Sequence, residues 1–220
     1  PEVARDGEIE VSYEGEAQIP FTARDDYGVS AGTARIELAL DDVDRRYGLR
    51  IEPEPRAVIE LPLPMPIAGD RSEFTETLID NFSEHPWANL PVSISLTVTD
   101  EADQIGEAAP EVIALPGRRF FDPMASAIID LRRSLLWNRE NADDVAMLMR
   151  AISHRPDDVF RSSTDFLRLR TIMRRVEALS RVTMSDDQQA EIAQAMWDLA
   201  IRLEEGDLED ALERLQLRSA

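Results

Sequence analysis

The stretch LPGRRFFDP, residues 115–123, separates two parts of this sequence that have different hydrophobic periods. Pro116 and Gly117 are residues that end strands, whereas Asp122 before Pro123 is a typical helix start, with an N-cap and a proline in the first turn. Apolar residues alternate with polar ones before this stretch and recur every three or four positions after it. The sequence therefore predicts an α+β protein with its strands first and its helices second.

The first 117 residues contain stretches of strict alternation, which is typical of strands buried on one face. Four of them predict strands with these apolar faces: Ile9, Val11 and Tyr13; Ile19, Phe21 and Ala23; Ala34, Ile36, Leu38 and Leu40; Val92, Ile94, Leu96 and Val98. Weaker candidates lie at 46–51, 56–61, 73–79 and 110–115. Short strands without intervening helices predict an acidic, antiparallel, immunoglobulin-like β-sandwich over residues 1–117.

Residues 118–220 contain apolar stripes at helical spacing, each preceded by a capping residue. The caps and their stripes are Asp122 with Met124, Ile128, Leu131 and Leu135; Asn141 with Val145, Leu148 and Ile152; Ser162 with Phe166, Leu169, Met173 and Val176; Ser185 with Ile192, Met196, Leu199 and Leu203. Asp165 and Gln188 stand three residues after their serines, which is the spacing of a capping box. Short connections predict an antiparallel α-helical bundle.

The end of the sequence predicts one more helix. Gly206 is expected to stop the fourth helix, since glycine is the usual residue just past a helix end. Asp207 is then expected to start an amphipathic helix with Leu208, Leu212 and Leu215 on one face. We expect its partner helices to follow outside this sequence, so that the bundle of residues 118–220 is truncated here.

Composition excludes several functional classes. The chain has no cysteine, which excludes disulfides, thiolate metal sites and cysteine nucleophiles. All 24 basic residues are arginine, which excludes Schiff-base and P-loop lysine chemistry. The net charge of -20 argues against nucleic acid as a partner, because its binders need a basic face. Residues 1–117 hold 25 acidic side chains against 8 arginines, and the remainder hold 19 against 16.

His85 and Trp87, in NFSEHPWANLP at residues 81–91, are candidates for a ligand site. Histidine can act as an acid, a base or a metal ligand, and tryptophan can stack on a sugar. The alternative is structural, with His85 held extended before a proline and Trp87 covering one end of the sandwich core. The structural interpretation is favoured, because the sequence around His85 contains no nucleophile signature.

Acidic turns offer a second candidate site. Asp25, Asp26, Asp100 and Asp103 supply the hard oxygen ligands that Ca²⁺ prefers, and 41–44 adds another acidic turn. None of these stretches has the spacing of a defined calcium loop. Aspartate close to glycine is also ordinary turn chemistry, because its carboxylate accepts hydrogen bonds from the backbone nearby. Turn structure is therefore favoured, and calcium is the one cofactor that the sequence allows us to consider.

The arginines of the helical half, at 131–133 and 168–175, have two interpretations. They can face anionic lipid or an acidic partner. They can also form a solvated helical face that pairs with nearby carboxylates, which is the interpretation favoured by the slightly negative charge of this half.

Four stretches together resemble a domain-of-unknown-function family of alphaproteobacterial inner-membrane proteins. They are DDYGV at 25–29, HPWANLPVSISLTVTDEADQIGEA at 85–108, LPGRRFFDPMASAIIDLRRSLL at 115–136 and AMWDLAIRLEEGDLEDALERL at 195–215. Asn89 stands where the family pattern leads us to expect glycine. The resemblance implies N-terminal transmembrane helices outside this sequence, a periplasmic sandwich-like region and a long helical C-terminal part. It supplies no catalytic residues.

The expected function is therefore that of a non-enzymatic module held at the periplasmic face of the bacterial inner membrane by an anchor outside this sequence. Its helical region is expected to contact an envelope protein or to self-associate, as an interaction or scaffolding surface. Two alternatives stay open: a carbohydrate- or peptidoglycan-binding module that uses His85 and Trp87, and a spacer stiffened by calcium.

Overall fold

The computed structural model describes residues 1–156 and 160–218. It describes the side chains of all these residues except 207–218, for which only the backbone is described. In these residues two antiparallel sheets are followed by four helices, so the predicted α+β class is confirmed. The chain divides into two compact units, Pro1–Val43 with Pro55–Arg119 and Asp44–Glu54 with Phe120–Ala220. We call them the sheet unit and the helical unit.

Nine strands lie within the described part of the sheet unit. They are β1 (Glu2–Arg5), β2 (Glu10–Val11), β3 (Glu16–Arg24), β4 (Val29–Leu38), β5 (Ile59–Pro62), β6 (Glu73–Asn81), β7 (Pro91–Asp100), β8 (Ile105–Glu107) and β9 (Glu111–Ala114). In the first sheet β3 pairs with β6 on one edge and with β1 and β2 on the other. In the second, β4 lies between β5 and β7, and the far edge of β7 pairs with β8 and β9.

The alternating apolar residues of the central strands form the core of the sheet unit. The predicted buried faces of β3 and β7 are confirmed: Ile19, Phe21 and Ala23, and Val92, Ile94, Leu96 and Val98. Both sheets contribute to one hydrophobic cluster, which includes Ala34 and Ile36 of β4 together with the buried residues of β3. Leu38 packs against this cluster while partly buried, and Leu40 falls in a 3₁₀ turn beyond the strand.

Two strand predictions were wrong. Only Glu10–Val11 of the stretch 8–14 is a strand, and Val11 and Tyr13 are 45% and 40% exposed. Residues 46–51 contain a 3₁₀ turn at Tyr47–Leu49 instead of a strand. Alternation alone cannot show whether a second strand is available for pairing. The first of these stretches pairs over only two residues, and the second is not paired as a strand. The short strands β1 and β8 were not predicted, because each offers too few residues for a period to be recognised.

Four helices lie in the described part of the helical unit: α1 (Pro123–Trp137), α2 (Ala142–Ile152), α3 (Ser163–Leu179) and α4 (Asp186–Arg218). Asp122 caps α1 as predicted, because its carboxylate accepts from the Ala125 N–H at 2.6 Å. Ser185 and Gln188 form the predicted capping box before α4, each side chain bonding the other's backbone N–H. No helix in the described residues is both long and apolar enough to cross a membrane.

Some helix predictions were wrong. Asn141 does not cap α2 with its side chain, since its amide donates to the carbonyls of Gly48 and Ser134. Leu148 is 45% exposed, because the buried face of α2 is centred on Val145 and Met149. The capping box predicted from Ser162 and Asp165 is only partly formed. The Ser162 hydroxyl accepts from the Thr164 N–H, while the Asp165 carboxylate pairs with an arginine of α4.

The predicted stop at Gly206 was also wrong, because α4 continues through it to Arg218. A glycine inside a helix costs only about 1 kcal/mol relative to alanine, and good helix formers stand on both sides of it. The predicted separate helix from Asp207 is therefore part of α4. The predicted apolar face of Leu208, Leu212 and Leu215 stays a prediction, because these side chains lie outside those that the structure describes.

Residues 44–54 leave the strands and pack with the helices. The Trp137 indole N–H donates to the Ile51 carbonyl at 2.7 Å, and the Glu54 N–H donates to the Trp137 carbonyl at 2.8 Å. Gly48 approaches α1 so closely that a Cβ would lie 2.1 Å from the Ser134 hydroxyl. The sequence placed this segment with the strands, because its own pattern contains nothing that identifies the helices as its partner.

Glu54 joins this segment to the helices of the same unit. Its carboxylate accepts two hydrogen bonds from the Arg139 guanidinium, both at 2.8 Å, and one from the Arg139 N–H at 2.7 Å. Gln189 of α4 also donates to it, and Arg139 reaches the Asp186 carboxylate at 2.6 Å. Burial acts to raise the pKa of Glu54, but the donors from Arg139 and Gln189 outweigh it and hold the pKa below its ordinary value.

We predict that Glu54→Ala lowers the free energy of unfolding of the helical unit by about 1–3 kcal/mol, because it leaves partly buried donors of Arg139 and Gln189 without their acceptor. Urea unfolding followed by helix circular dichroism measures this loss. The matched control is Glu52→Ala, since Glu52 pairs with Arg45 but is 79% exposed. Equal losses for the two variants would contradict the assigned role.

The same carboxylate predicts a pH dependence. A folded pKa that lies below the ordinary 4.5 means that the stabilisation by Glu54 is complete above 4.5 and is lost as the pH falls through the folded pKa. Unfolding curves of the parent chain and Glu54→Ala should therefore converge as the solution is acidified. A difference that stayed constant down to the folded pKa would show that the carboxylate charge is not responsible.

Candidate functional site

The loop between β6 and β7 places His85 and Trp87 together but uses both in structure. The Trp87 side chain is 6% exposed and belongs to the core of the sheet unit. His85 Nδ1 accepts from the Trp87 N–H at 3.1 Å, and the two rings meet edge to face at 4.8 Å. A buried indole presents no face for a sugar to stack on, so the geometry matches the structural interpretation of this loop.

Asn89 in the same loop has a positive φ of 62°. Glycine adopts this left-handed backbone freely, and asparagine is among the few other residues that tolerate it. The loop therefore requires at this position either the glycine that the family pattern led us to expect or the asparagine found here. Its N–H donates to the Leu115 carbonyl at 2.8 Å, which fixes the loop beside β9.

The first acidic turn, between β3 and β4, uses Asp25 to close the turn. One oxygen of Asp25 accepts from the Tyr27 N–H at 2.8 Å. Asp26 is exposed beside it.

The second acidic turn, between β7 and β8, is organised by Asp100, which is 1% exposed. Its Oδ1 accepts from the N–H groups of Ala102 and Gln104, both at 2.8 Å. Its Oδ2 is buried and accepts no hydrogen bond from the described residues. Asp103 is exposed with a positive φ of 61°, as suits a turn.

These contacts show how far the calcium hypothesis is supported. Among the described residues no group of three or more His, Asp or Glu side chains has the arrangement of a metal site. Asp25 and Asp100 each use one carboxylate oxygen on backbone N–H groups of their own turn. The residues therefore behave as turn formers, and calcium binding stays a prediction.

A different cluster, which we call the clamp, was not predicted from the sequence. It consists of Phe120, Arg132, Trp197 and Glu204, all within the helical unit. The Glu204 carboxylate is 2% exposed and lies at the start of α1. It accepts from the N–H of Phe121 at 2.9 and 3.0 Å and from the N–H of Asp122 at 2.8 Å. These amides have no partner within the helix, and the positive end of the helix dipole also favours the carboxylate.

Trp197 of α4 completes the clamp. The Phe120 ring meets it edge to face at 5.5 Å, and the Arg132 guanidinium lies 5.4 Å from its ring centre. Arg132 is only 7% exposed, and its Nε donates to the Ala193 carbonyl at 2.9 Å. The cation–π contact and this hydrogen bond offset part of the cost of burying a guanidinium that has little access to water.

The clamp joins two of the four stretches that carry the family resemblance. Phe120 and Arg132 come from 115–136, and Trp197 and Glu204 come from 195–215. Sequence reasoning missed Glu204 because it stands in RLEEGDLED, a charged run that is normally solvated. The resemblance carried the only signal that these two stretches act together. Their chemistry positions α1 against α4 and does not arrange a nucleophile or an acid–base pair.

A family model described as "Domain of unknown function (DUF4175)" matches residues 1–220 of the chain. No curated protein matches it. The matched range includes both the sheet unit and the helical unit. The predicted resemblance to a family of unknown function is therefore confirmed at that level.

We predict that Trp87→Ala lowers the free energy of unfolding of the sheet unit by about 3–5 kcal/mol, because it leaves a large cavity in the core. Thermal and urea unfolding measure the change. Tyr27→Ala is the control in the same unit, since Tyr27 is 71% exposed and its removal should cost under about 0.5 kcal/mol. A loss from Trp87→Ala no larger than that of the control would mean that Trp87 is not a core residue.

We predict that Glu204→Ala destabilises the helical unit by about 1–3 kcal/mol, because the N–H groups of Phe121 and Asp122 before α1 lose a charged acceptor. Glu204→Gln should cost less, since its amide oxygen still accepts from one of them. Glu191→Gln is the control on the same helix, being 60% exposed. Equal stability of all three variants in urea would refute the capping role.

Proposed function

We propose that this chain, which belongs to the DUF4175 family, is a non-enzymatic interaction or scaffolding module whose helical unit contacts an envelope protein or another copy of itself. The observation that carries this proposal is the clamp. Residues from two of the stretches that carry the family resemblance hold a 33-residue helix, α4, in a fixed position against α1. A binding surface built on a fixed helix loses little conformational entropy when a partner docks.

The network around Glu54 supports the same proposal. Arg139, Glu54 and Gln189 connect the segment 44–54, the start of α2 and the start of α4 through charge-assisted hydrogen bonds. Like the clamp, this network fixes backbone positions. Both polar clusters therefore serve to make the helical unit rigid.

In this proposal the sheet unit is an immunoglobulin-like β-sandwich and the helical unit is an antiparallel bundle. Two observations support the sandwich: the pairing of β3 with β6 in one sheet and of β4 with β7 in the other, and the single hydrophobic core to which both sheets contribute. The packing of α1 against α4 around shared apolar residues supports the bundle.

The module is further proposed to work at the periplasmic face of the inner membrane of an alphaproteobacterium, which rests on the family resemblance of its motifs. A fusion of alkaline phosphatase to the protein in its native membrane context tests this location. We expect phosphatase activity in intact cells, because this enzyme becomes active only after export. An inactive fusion that is nevertheless full length would refute the periplasmic assignment.

The proposed interaction is tested by affinity capture of the full-length protein from crosslinked native membranes. A matched version lacks residues 120–218 and has 44–54 replaced by a glycine–serine linker. Both chain segments of the helical unit are thereby removed together. We expect one specific envelope protein, or a second copy of the chain, to be retained only by the intact form.

Other outcomes of the capture have defined meanings. Retention of the same protein by both versions would assign the contact to the sheet unit and refute the role of the helices. Retention of nothing by either version would refute the interaction function itself.

A further inference from the structure

Three connecting loops lie at one end of the sheet unit, where β3 and β7 finish. They join β3 to β4 (25–28), β5 to β6 (63–72) and β7 to β8 (101–104). The Asp25 N–H of the first loop donates to the Ser72 carbonyl of the second at 2.8 Å. The Glu101 N–H of the third donates to the Gly28 carbonyl of the first at 3.2 Å. The three loops therefore form one connected surface, which we call the loop end.

The loop end carries the most exposed large apolar side chains of the sheet unit. Ile67 in the second loop is 104% exposed, Tyr27 in the first is 71% exposed, and Ile105, which begins β8 after the third, is 66% exposed. The next most exposed in the described residues of this unit is Ile79, at 54%. The three come from separate stretches of sequence, and the fold brings them to the same end. Exposed apolar side chains that gather in this way mark an interaction surface.

The loops that present these side chains are held by contacts of their own. The Arg71 side chain donates through Nε to the Pro66 carbonyl at 3.2 Å, which closes the turn around Ile67. Gly28 has a positive φ of 87° and lies so close to this loop that a Cβ would be 2.8 Å from the Asp70 carbonyl oxygen. A surface that is ordered before binding loses little conformational entropy when a partner docks.

The same loops are acidic. They contain five acidic residues against one arginine. The exposed acids are Asp26, Asp70, Glu101 and Asp103. Arg24, at the end of β3, pairs with Glu2 at 2.6 Å and so does not offset these carboxylates directly. The loop end therefore combines exposed apolar side chains with a net negative charge.

This combination favours one kind of partner, a protein surface that offers basic side chains beside an apolar pocket. Exposed tyrosine and aliphatic side chains serve as anchors in protein interfaces, and the charges around them select a partner of opposite sign. An anionic lipid surface would instead repel the carboxylates of the loops. A second copy of a chain with net charge -20 would be repelled for the same reason.

We propose that the loop end docks a basic protein partner, which receives Tyr27, Ile67 and Ile105 in an apolar pocket and places lysine or arginine side chains on the carboxylates of the loops. This contact is separate from the one proposed for the helical unit and adds a second interaction surface to the chain. Charged groups at the rim of such an interface mainly set the association rate and its dependence on salt.

The first test is photocrosslinking in cells with the full-length protein. Benzoylphenylalanine replaces Tyr27, whose bulk and aromatic ring it retains, and in a matched control it replaces Val112 of β9, which is 52% exposed. We expect the probe at Tyr27, and not the probe at Val112, to crosslink to one protein. Mass spectrometry should locate the crosslink in a segment that contains Lys or Arg.

Charge reversal tests the electrostatic part of the contact. Asp26→Arg combined with Glu101→Arg should lower the crosslink yield by about tenfold or more, because like charges then face each other. Changing the basic residues of the crosslinked segment to glutamate should restore the yield. The control is Glu10→Arg combined with Glu14→Arg, which makes the same change in net charge at exposed residues beside the opposite end of β3. A yield that responds equally to both pairs would overturn the proposed charge pairing.

A polar substitution tests the apolar part. Ile67→Ser should lower the crosslink yield by about fivefold or more, as expected for loss of an interface anchor. Ile79→Ser is the control on β6, since Ile79 is also exposed but lies outside the loop end. Equal yields from the two variants would show that Ile67 does not enter the partner.

Three further results would overturn the proposal. A crosslink from Tyr27 to phospholipid would make the loop end a membrane-facing surface. A crosslink to a second copy of the chain would make it a self-association surface. An absent crosslink, in cells that contain the usual amount of the full-length protein, would show that no such partner binds there, and would leave the function proposed for the helical unit unaffected.

Discussion

The carboxylate of Glu204 fixes the arrangement on which the helical unit depends. A buried carboxylate is costly unless hydrogen-bond donors replace its water, and here the N–H groups of Phe121 and Asp122 do so at the start of α1. Those two amides come just before the first turn of α1 and have no partner within the helix, so the carboxylate also gives them an acceptor. Each side therefore satisfies the other in one relative position of α1 and α4. Trp197, held between Phe120 and Arg132, fills the space around that contact with apolar and cationic surface.

The regular parts of the fold could be predicted because their periods are long enough to recognise. β7 offers five buried positions in a row on alternate residues, and α1 offers a cap, a proline and a stripe that agree with one another. Predictions failed where a local pattern had to compete with tertiary contacts. Asn141 is a good cap by residue type, but two carbonyls nearby use its amide. Gly206 is a good stop by residue type, but the flanking sequence favours a continuous helix strongly enough to absorb its cost.

The candidate sites show the same limit at the level of chemistry. His85, Trp87 and the aspartates of the two turns attract attention because their side chains can bind ligands, but residue type does not reveal what they contact in the fold. The structural contacts of Trp87 and Asp100 follow from burial, which could be anticipated for the indole and not for the carboxylate. The structural roles of Glu204 and Glu54 were not predicted, because each stands among charged or proline-rich neighbours that indicate exposure. Only contacts distant in sequence distinguish them from ordinary surface acids.

The segment 44–54 has a consequence for how the chain is made. Glu54 and Gln189, which bond each other, are separated by 135 residues in the sequence. During synthesis the first piece of the helical unit leaves the ribosome early and has to wait while the rest of the strands and three helices follow. The final assembly of this unit is thus a high-contact-order step that comes late, after the sheet unit has had time to fold around the gap in its sequence. Until then Arg139 lacks its contact with Asp186, and Glu54 lacks its contact with Gln189.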